Sequence, residues 1–479
     1  MNARLVVRLI GSVLAVEGLL MFLPLIVSLY YGGADYPAIL ISIAIVLAAG
    51  LLLGCVRAKS ELLRPREGLA VVAASWVLVS AFGALPFVIH GSIPSFVDAF
   101  FETVSGFTTT GSTVLQDVEA VPRGLLFWRS FTHWAGGMGV LVLSLALIPK
   151  MGARSIHLMR AESPGPSPDR LVPRVAKSAK ILYKIYLGMS VMLVIALMLC
   201  GLDWFDALTH MFSTAGTGGF STYNQSVGHF QNLAVEMVLG VSMVAFGVNF
   251  SIYYLLILGH FRGFFKNSEL RTFVSIVAAA TVLIALNILP GYGNFFTALR
   301  YSFFQVTTLI STTGFATADF AVWPVFSRAV IVFLMFVGSC AGSTAGGIKV
   351  VRAQLLWKNL RRDIHTSVHP NAVRVIKLDG KPVDEKIMSG VTGFFYAYML
   401  ITMLATIVVS LDGHSLETSF SAVLTTISNV GPGLGQVGPK GNFSIFSDLS
   451  KITLSMCMLL GRLEIFPILL LFVPSAWRR

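Results

Sequence analysis

Long apolar runs dominate the chain, and they come in two lengths. Ten runs approach or exceed the twenty or so residues that a helix needs to cross a bilayer. They cover 10–30, 36–55, 68–89, 127–148, 181–202, 235–258, 272–289, 329–357, 387–411 and 452–472. Four more, at 93–104, 204–214, 298–310 and 416–427, are too short to cross. Apolar segments of 10–14 residues suit re-entrant or interfacial helices. Each lies between two long runs, and a Thr/Gly-rich or Gly-rich stretch follows it. The pattern predicts an all-α polytopic membrane protein: two N-terminal spans, then four units of span, short helix with loop, and span. No run carries the small-residue cleavage site of a signal peptide.

Composition agrees. Of 479 residues, 55% are hydrophobic and only 12% charged, against roughly 25% charged in a soluble domain; mean hydropathy is +0.78. An ordinary soluble enzyme and a disordered chain are excluded. The net charge of +12 would suit a nucleic-acid binder, but in a chain this apolar it reads as basic cytoplasmic loops. Nearly all Lys and Arg fall in one set of alternate loops. The other set holds only Arg123, Arg129, Arg300, Arg328, Lys440 and Lys451. Ten spans with this bias place both termini in the cytoplasm. Cys55, Cys200, Cys340 and Cys457 sit singly in or at the ends of apolar runs, without CxxC spacing, and read as small core hydrophobes.

The four short segments repeat. They lead into FTTTGST at 107–113, GTGGFST at 216–222, STTGFAT at 311–317 and SNVGPGLG at 428–435. A glycine recurs in register: Gly111, Gly219, Gly314 and Gly431. Irregular backbone at membrane depth survives only where it lines a watery path or is buried in protein. Glycine reaches φ > 0 without steric cost, so successive carbonyls can face one axis. Four such segments around a pseudo-fourfold pore would replace the hydration shell of a monovalent cation. One such loop would read as an ordinary connection; four in register do not.

Two features interrupt the spans. Residues 337–349, VGSCAGSTAGGIK, concentrate glycine in the eighth run, where each costs about 1 kcal/mol against alanine in a helix. This predicts either an intramembrane loop beneath the four segments or a small-residue packing face. Arg462 is a charge inside a span, which insertion scales penalise by about 2.5–3.5 kcal/mol. It either faces the pore as an electrostatic barrier or pairs with Glu464 or loop carbonyls. Other signals are weaker. His365 and His369 have i, i+4 spacing but no evident third ligand. Asp98, Glu102, Asp203, Asp206 and Glu417 either gather cations at the outer mouth or cap helices. Residues 163–170, SPGPSPDR, read as a cytoplasmic loop.

The segments SGFTTTG, TGGFST, STTGF and NVGPGLG resemble the four filter segments of the TrkH/TrkG/KtrB superfamily of potassium-uptake proteins. GSTAGGIKVVR at 342–352 and GRLEIFPILLLF at 461–472 resemble further signatures of its bacterial TrkH branch. The resemblance covers nearly the whole chain. It implies potassium uptake across the bacterial inner membrane, with K+ as the transported ion and no resident cofactor. It implies a homodimer with one pore per subunit and a cytosolic nucleotide-binding regulator of the TrkA type. Membrane lipid surrounds such a chain, and no nucleic acid is expected. The ion-lining backbone would come from Thr109, Thr110 and Gly111; Thr217, Gly218 and Gly219; Thr312, Thr313 and Gly314; and Asn429, Val430 and Gly431. Sodium-selective plant relatives carry serine at the first glycine, so Gly111 favours potassium. The fourth segment departs from Thr-x-Gly, which makes the ring only approximately fourfold. The gate would comprise Gly342, Ser343, Thr344, Ala345, Gly346 and Gly347, with Arg462. The division is 1–67 for the two-span region, then repeats at 68–178, 179–268, 269–383 and 384–479, the third carrying the gate. A sodium- or proton-coupled transporter is the competing function, although that class usually has inverted repeats and midplane acids. An enzyme is not expected, since no HExxH or P-loop appears.

Overall fold

The computed structural model describes residues 2–57, 65–139, 175–371 and 374–469. The end of the fourth run, the 163–170 loop, much of the basic stretch around it and the last residues of the final run lie outside them. Among the described residues the chain is helical, apart from a small hairpin pairing Lys377–Leu378 with Lys381–Pro382.

The first two spans, Ala3–Tyr30 and Tyr36–Gly54, form a hairpin that packs backbone against backbone. A Cβ on Gly11 would lie 2.4 Å from the Gly54 nitrogen, and one on Gly50 2.6 Å from that of Ala15. Small residues permit this approach where no hydrophobic drive separates helix from lipid. The remaining chain repeats a motif of long helix, short helix, second helix. The long helices include Glu67–His90, Lys180–Leu199, Ser268–Tyr292 and Glu385–Asp412. The short ones are Phe96–Phe107, Trp204–Gly216, Phe295–Ile310 and Leu416–Ile427. They match the four expected segments, shifted or extended by a few residues at some ends.

Three of the four second helices are interrupted among the described residues. Only six helices among the described residues are long and apolar enough to cross, or seven counting one bent pair. That pair, Leu233–Phe246 and Phe250–Ile257, turns by 93°. In the third repeat Val325–Val337 stops and Val350–Val368 resumes after a loop, as the glycine density predicted. In the fourth, Asp448–Arg462 gives way to Phe466–Leu469 through Glu464 and Ile465, both at positive φ. In the first, Arg123–Gly137 ends just before the described residues do.

Breaks at membrane depth free backbone groups that must find partners. Here they find each other. Cys340 N–H donates to the Gly247 carbonyl at 3.1 Å, and Phe250 N–H to that of Gly342 at 3.0 Å. The bend of the second repeat and the loop of the third are thus one hydrogen-bonded unit. Outward faces of the long helices stay apolar and exposed, as at Leu19, Ile26, Leu52, Ile195, Leu286 and Ile407. Surface of this kind requires lipid, and the chain is a multi-pass membrane protein. All four cysteines are free; Cys340 and Cys457 are buried as expected, but Cys55 is exposed just past a helix end.

Candidate functional site

Each short helix is capped at its N-terminus by a side chain: Ser95, Asp203, Asn294 and Ser415. Each ends in the same turn. Thr109, Thr217, Thr312 and Asn429 take φ of 56°, 60°, 57° and 54°, a left-handed conformation that non-glycine residues rarely adopt. The next residue's N–H reaches back five positions. Thr110 to Ser105, Gly218 to Ser213, Thr313 to Thr308 and Val430 to Thr425 are all 2.8 Å. This is the closure of a Schellman-type helix end, made four times. Two residues after each turn residue, Gly111, Gly219, Gly314 and Gly431 return to positive φ at 87°, 77°, 88° and 99°. Alternating φ signs turn successive carbonyls toward one side, and glycine permits the second reversal.

The four segments close on one another in chain order. A Cβ on Gly111 would fall 1.9 Å from the Gly218 oxygen, and one on Gly219 2.0 Å from that of Thr313. On Gly314 it would meet the Val430 oxygen at 2.2 Å, and on Gly431 the Thr110 oxygen at 2.7 Å. Each glycine therefore leans on the middle carbonyl of the next segment, and the fourth returns to the first. All four glycines line one cavity of about 170 Å³, with Arg129, Asn224 and Lys440 on its wall. The twelve residues named from the sequence lie in these four adjoining segments. Asn429 replaces a threonine but keeps the turn, and its amide bridges to Thr110 Oγ1 at 2.9 Å.

The 338–349 loop lies against this ring and takes no part in lining that cavity. Gly346 N–H donates to Thr312 Oγ1 at 2.8 Å, and a Cβ on Gly346 would strike the Ser428 oxygen at 2.3 Å. Four charged side chains hold the loop: Lys349 donates to Ala345 O and Arg352 to Ile348 O from its own end, and Glu269 and Arg462 reach in from other helices. Glu269, buried at the start of its span, accepts from Ala341 N at 2.7 Å and Val351 N at 3.2 Å, gripping both flanks. Arg462 donates to Thr344 O at 2.6 Å, Gly136 O at 2.5 Å and Gly137 O at 2.7 Å. It joins the loop to the second helix of the first repeat. Glu464 pairs with Arg352 at 2.5 Å. Of the two readings of Arg462, the carbonyl contacts are present and so is the position beside the loop.

The acids near the short helices have structural partners. Glu102 pairs with Arg129 at 2.7 Å, both buried, and accepts from Val114 N at 2.9 Å. Arg129 also donates to Ser221 O at 3.0 Å and stacks 3.5 Å over the Phe220 ring. Asp98 meets Lys451 at 2.5 Å, and Glu417 meets Arg328 at 2.8 Å. Asp203 caps its helix, and Asp206 accepts from Tyr223 Oη at 2.7 Å. At the outer surface Asn224 donates to Asp117 at 2.9 Å, which holds that carboxyl below the ordinary carboxylate range. Sequence reading missed Glu269 and the Arg129–Glu102 brace. A signal existed, since paired opposite charges in apolar helices demand partners. Among the described residues no three His, Cys, Asp or Glu side chains are placed to hold a metal ion. His365 and His369 sit with ring centroids 5.0 Å apart.

Four short helices whose left-handed end turns close a ring, set among long apolar helices, define a polytopic helical membrane protein. The chain belongs to the TrkH family of cation transport proteins, whose family model matches residues 36–478. The Trk system potassium uptake protein TrkH of Salmonella typhimurium is 38% identical over 488 residues, covering 100% of both chains. The protein of that name from Escherichia coli K12 is 36% identical over 487 residues, again over 100% of both. The crystal structure of the potassium transporter TrkH from Vibrio parahaemolyticus superimposes with a TM-score of 0.90 at 34% identity, covering 100% of each chain.

Proposed function

We propose that this protein takes up potassium across the bacterial inner membrane through the ring formed by its four turn segments. The closed cycle of glycine-to-carbonyl contacts carries the reading. In this reading the carbonyls of Thr109, Thr110, Gly111, Thr217, Gly218, Gly219, Thr312, Thr313, Gly314, Asn429, Val430 and Gly431 face one axis below one mouth. A cation entering there exchanges water for carbonyl oxygens. The partly negative C-terminal ends of the short helices point the same way. The loop Gly342–Gly347, seated against Thr312 and Asn429, obstructs the inner side, and Arg462 sets a positive charge beside it. The repeat boundaries proposed from the sequence keep one turn segment in each unit. Cytoplasmic termini, a homodimer and a cytosolic regulator of the TrkA type complete the proposal.

In liposomes the purified protein should pass potassium down a potassium gradient with no other gradient imposed. Flux that required a proton or sodium gradient would instead support the coupled transporter. Shortening the loop within 341–347 should raise basal flux severalfold, read as potassium flux per folded protein. A folded deletion that conducts no better than the parent would make the loop a packing feature.

Arg462 separates charge from clamp. Replacement by alanine removes both and should raise flux severalfold. Replacement by lysine keeps the charge, which repels a cation strongly in a low-dielectric setting, but one ammonium cannot span Thr344 and Gly136 together. Flux near wild type for Arg462→Lys assigns the effect to charge; flux near that of Arg462→Ala assigns it to the clamp. Lower flux and lower thermal stability in Arg462→Ala would refute both and leave a purely structural role.

A further inference from the structure

On the side of the membrane away from the mouth, the helix Val350–Val368 continues directly from the loop beneath the ring. It carries two faces that potassium passage does not need. One is an apolar stripe of Trp357, Leu360, Ile364 and Val368, each at least half exposed. Their spacing places them on one side of the helix. The other is a basic cavity of about 260 Å³, lined by Lys358, Arg361 and Arg362 from the helix and by Arg374 and Lys377 from the chain that returns beside it. Among the described residues the rest of its wall is Val375 and Ile376. Arg362 is engaged by Glu385 and, at 3.5 Å, by Asp363. Lys358 Nζ donates to the Lys377 carbonyl at 2.7 Å and holds the returning strand against the helix. Arg361 lies 5.0 Å over the Trp357 ring and so joins the cavity to the stripe.

We propose that this cavity binds the phosphate group of an anionic membrane lipid. Guanidinium and ammonium groups gathered around one hollow match a phosphate, which accepts several hydrogen bonds at once. A free phosphate would satisfy the same donors. The adjoining stripe favours the lipid: an exposed tryptophan followed by aliphatic residues on one helix face suits the boundary between headgroups and acyl chains. Basic clusters next to a membrane segment gather anionic lipid in this manner. The helix leads straight into the loop held by Glu269 and Arg462, so lipid bound here would bear on the same element.

The test uses the full-length protein in dodecyl maltoside, with thermal unfolding followed as dioleoylphosphatidylglycerol, dioleoylphosphatidylcholine or inorganic phosphate is added. A ligand of the folded state raises the midpoint in proportion to its occupancy. Phosphatidylglycerol should stabilise the wild type at concentrations where phosphatidylcholine and inorganic phosphate do not. Arg361→Gln with Arg374→Gln should weaken that response by about 30-fold, two basic charges beside an anionic surface being lost. Arg361→Lys with Arg374→Lys should keep most of it. Lys377→Gln alone provides a milder variant if the double one unfolds, with a loss of about fivefold. Equal stabilisation by inorganic phosphate would overturn the lipid as the source. A response unchanged in the glutamine variants would overturn the site. So would a change of oligomeric state in them at unaltered lipid response, because the face would then be a contact between copies.

Discussion

Gly111→Ala should cost the protein its preference for potassium over sodium by on the order of tenfold or more, while leaving it folded. Two effects act together. The residue sits at φ 87°, where a Cβ costs roughly 1–2 kcal/mol. That Cβ would also stand 1.9 Å from the Gly218 oxygen, well inside contact distance, against a carbonyl in the proposed ion path. The carbonyl must move, and each 1.4 kcal/mol of altered discrimination is one decade. Serine should do the same. The geometry also ranks the four positions. Alanine at Gly219 should equal that at Gly111, Gly314 should be close behind, and Gly431, with 2.7 Å of clearance, should be mildest. Relative permeability of the four purified variants in liposomes reads the order directly. Four equal effects, or unchanged selectivity in Gly111→Ala, would contradict the ring.

Arg129→Ala should lower stability by about 3–5 kcal/mol, the usual result of stranding one partner of a buried ion pair. Its Nε lies 2.7 Å from Glu102, with side-chain exposures of 3% and 0%. Glu102 in turn fixes Thr113 and Val114, just beyond the first turn segment, while Arg129 fixes Ser221, just beyond the second. The pair therefore braces two adjacent segments from behind. The combined Glu102→Gln and Arg129→Met protein should lose much less, because no uncompensated charge remains. Unfolding in detergent, compared at low and high salt, provides the measurement. Sequestered from water, the pair should show little screening. A single variant as stable as the parent would remove the brace.

The short helices and their glycines were legible because the sequence states them four times. A turn made once could be any loop; Thr109, Thr217, Thr312 and Asn429 recur with the same neighbours and duly share one conformation. The interruption at 338–349 was legible too, through its glycine density. The bend between Phe246 and Phe250 was not. Its run is apolar throughout, and what stabilises the break is a hydrogen-bond exchange with Cys340 and Gly342, nearly a hundred residues away. Glu269 escaped notice for the same reason: its partners, Ala341 and Val351, lie in another helix pair. Arg462 was conspicuous as a charge in a span, yet nothing local announced the carbonyls of Gly136 and Thr344. Local pattern thus revealed where backbone departs from helix, and tertiary partners decided what the departure leans on.

The return contact from Gly431 to Thr110 is the loosest of the four, and the fourth segment is also the one without a threonine at its turn. A ring assembled from identical subunits could not have such a seam, since any change would appear at every position. Here one polypeptide supplies all four quarters, so each can drift alone. Substitutions can accumulate at this joint, which side chains bridge through Asn429 to Thr110 and Ser112 to Gly431, while the other three stay fixed. Directed evolution of ion preference should accordingly find its tolerated mutations clustered around Asn429 to Gly431, and few at Thr109 to Gly111.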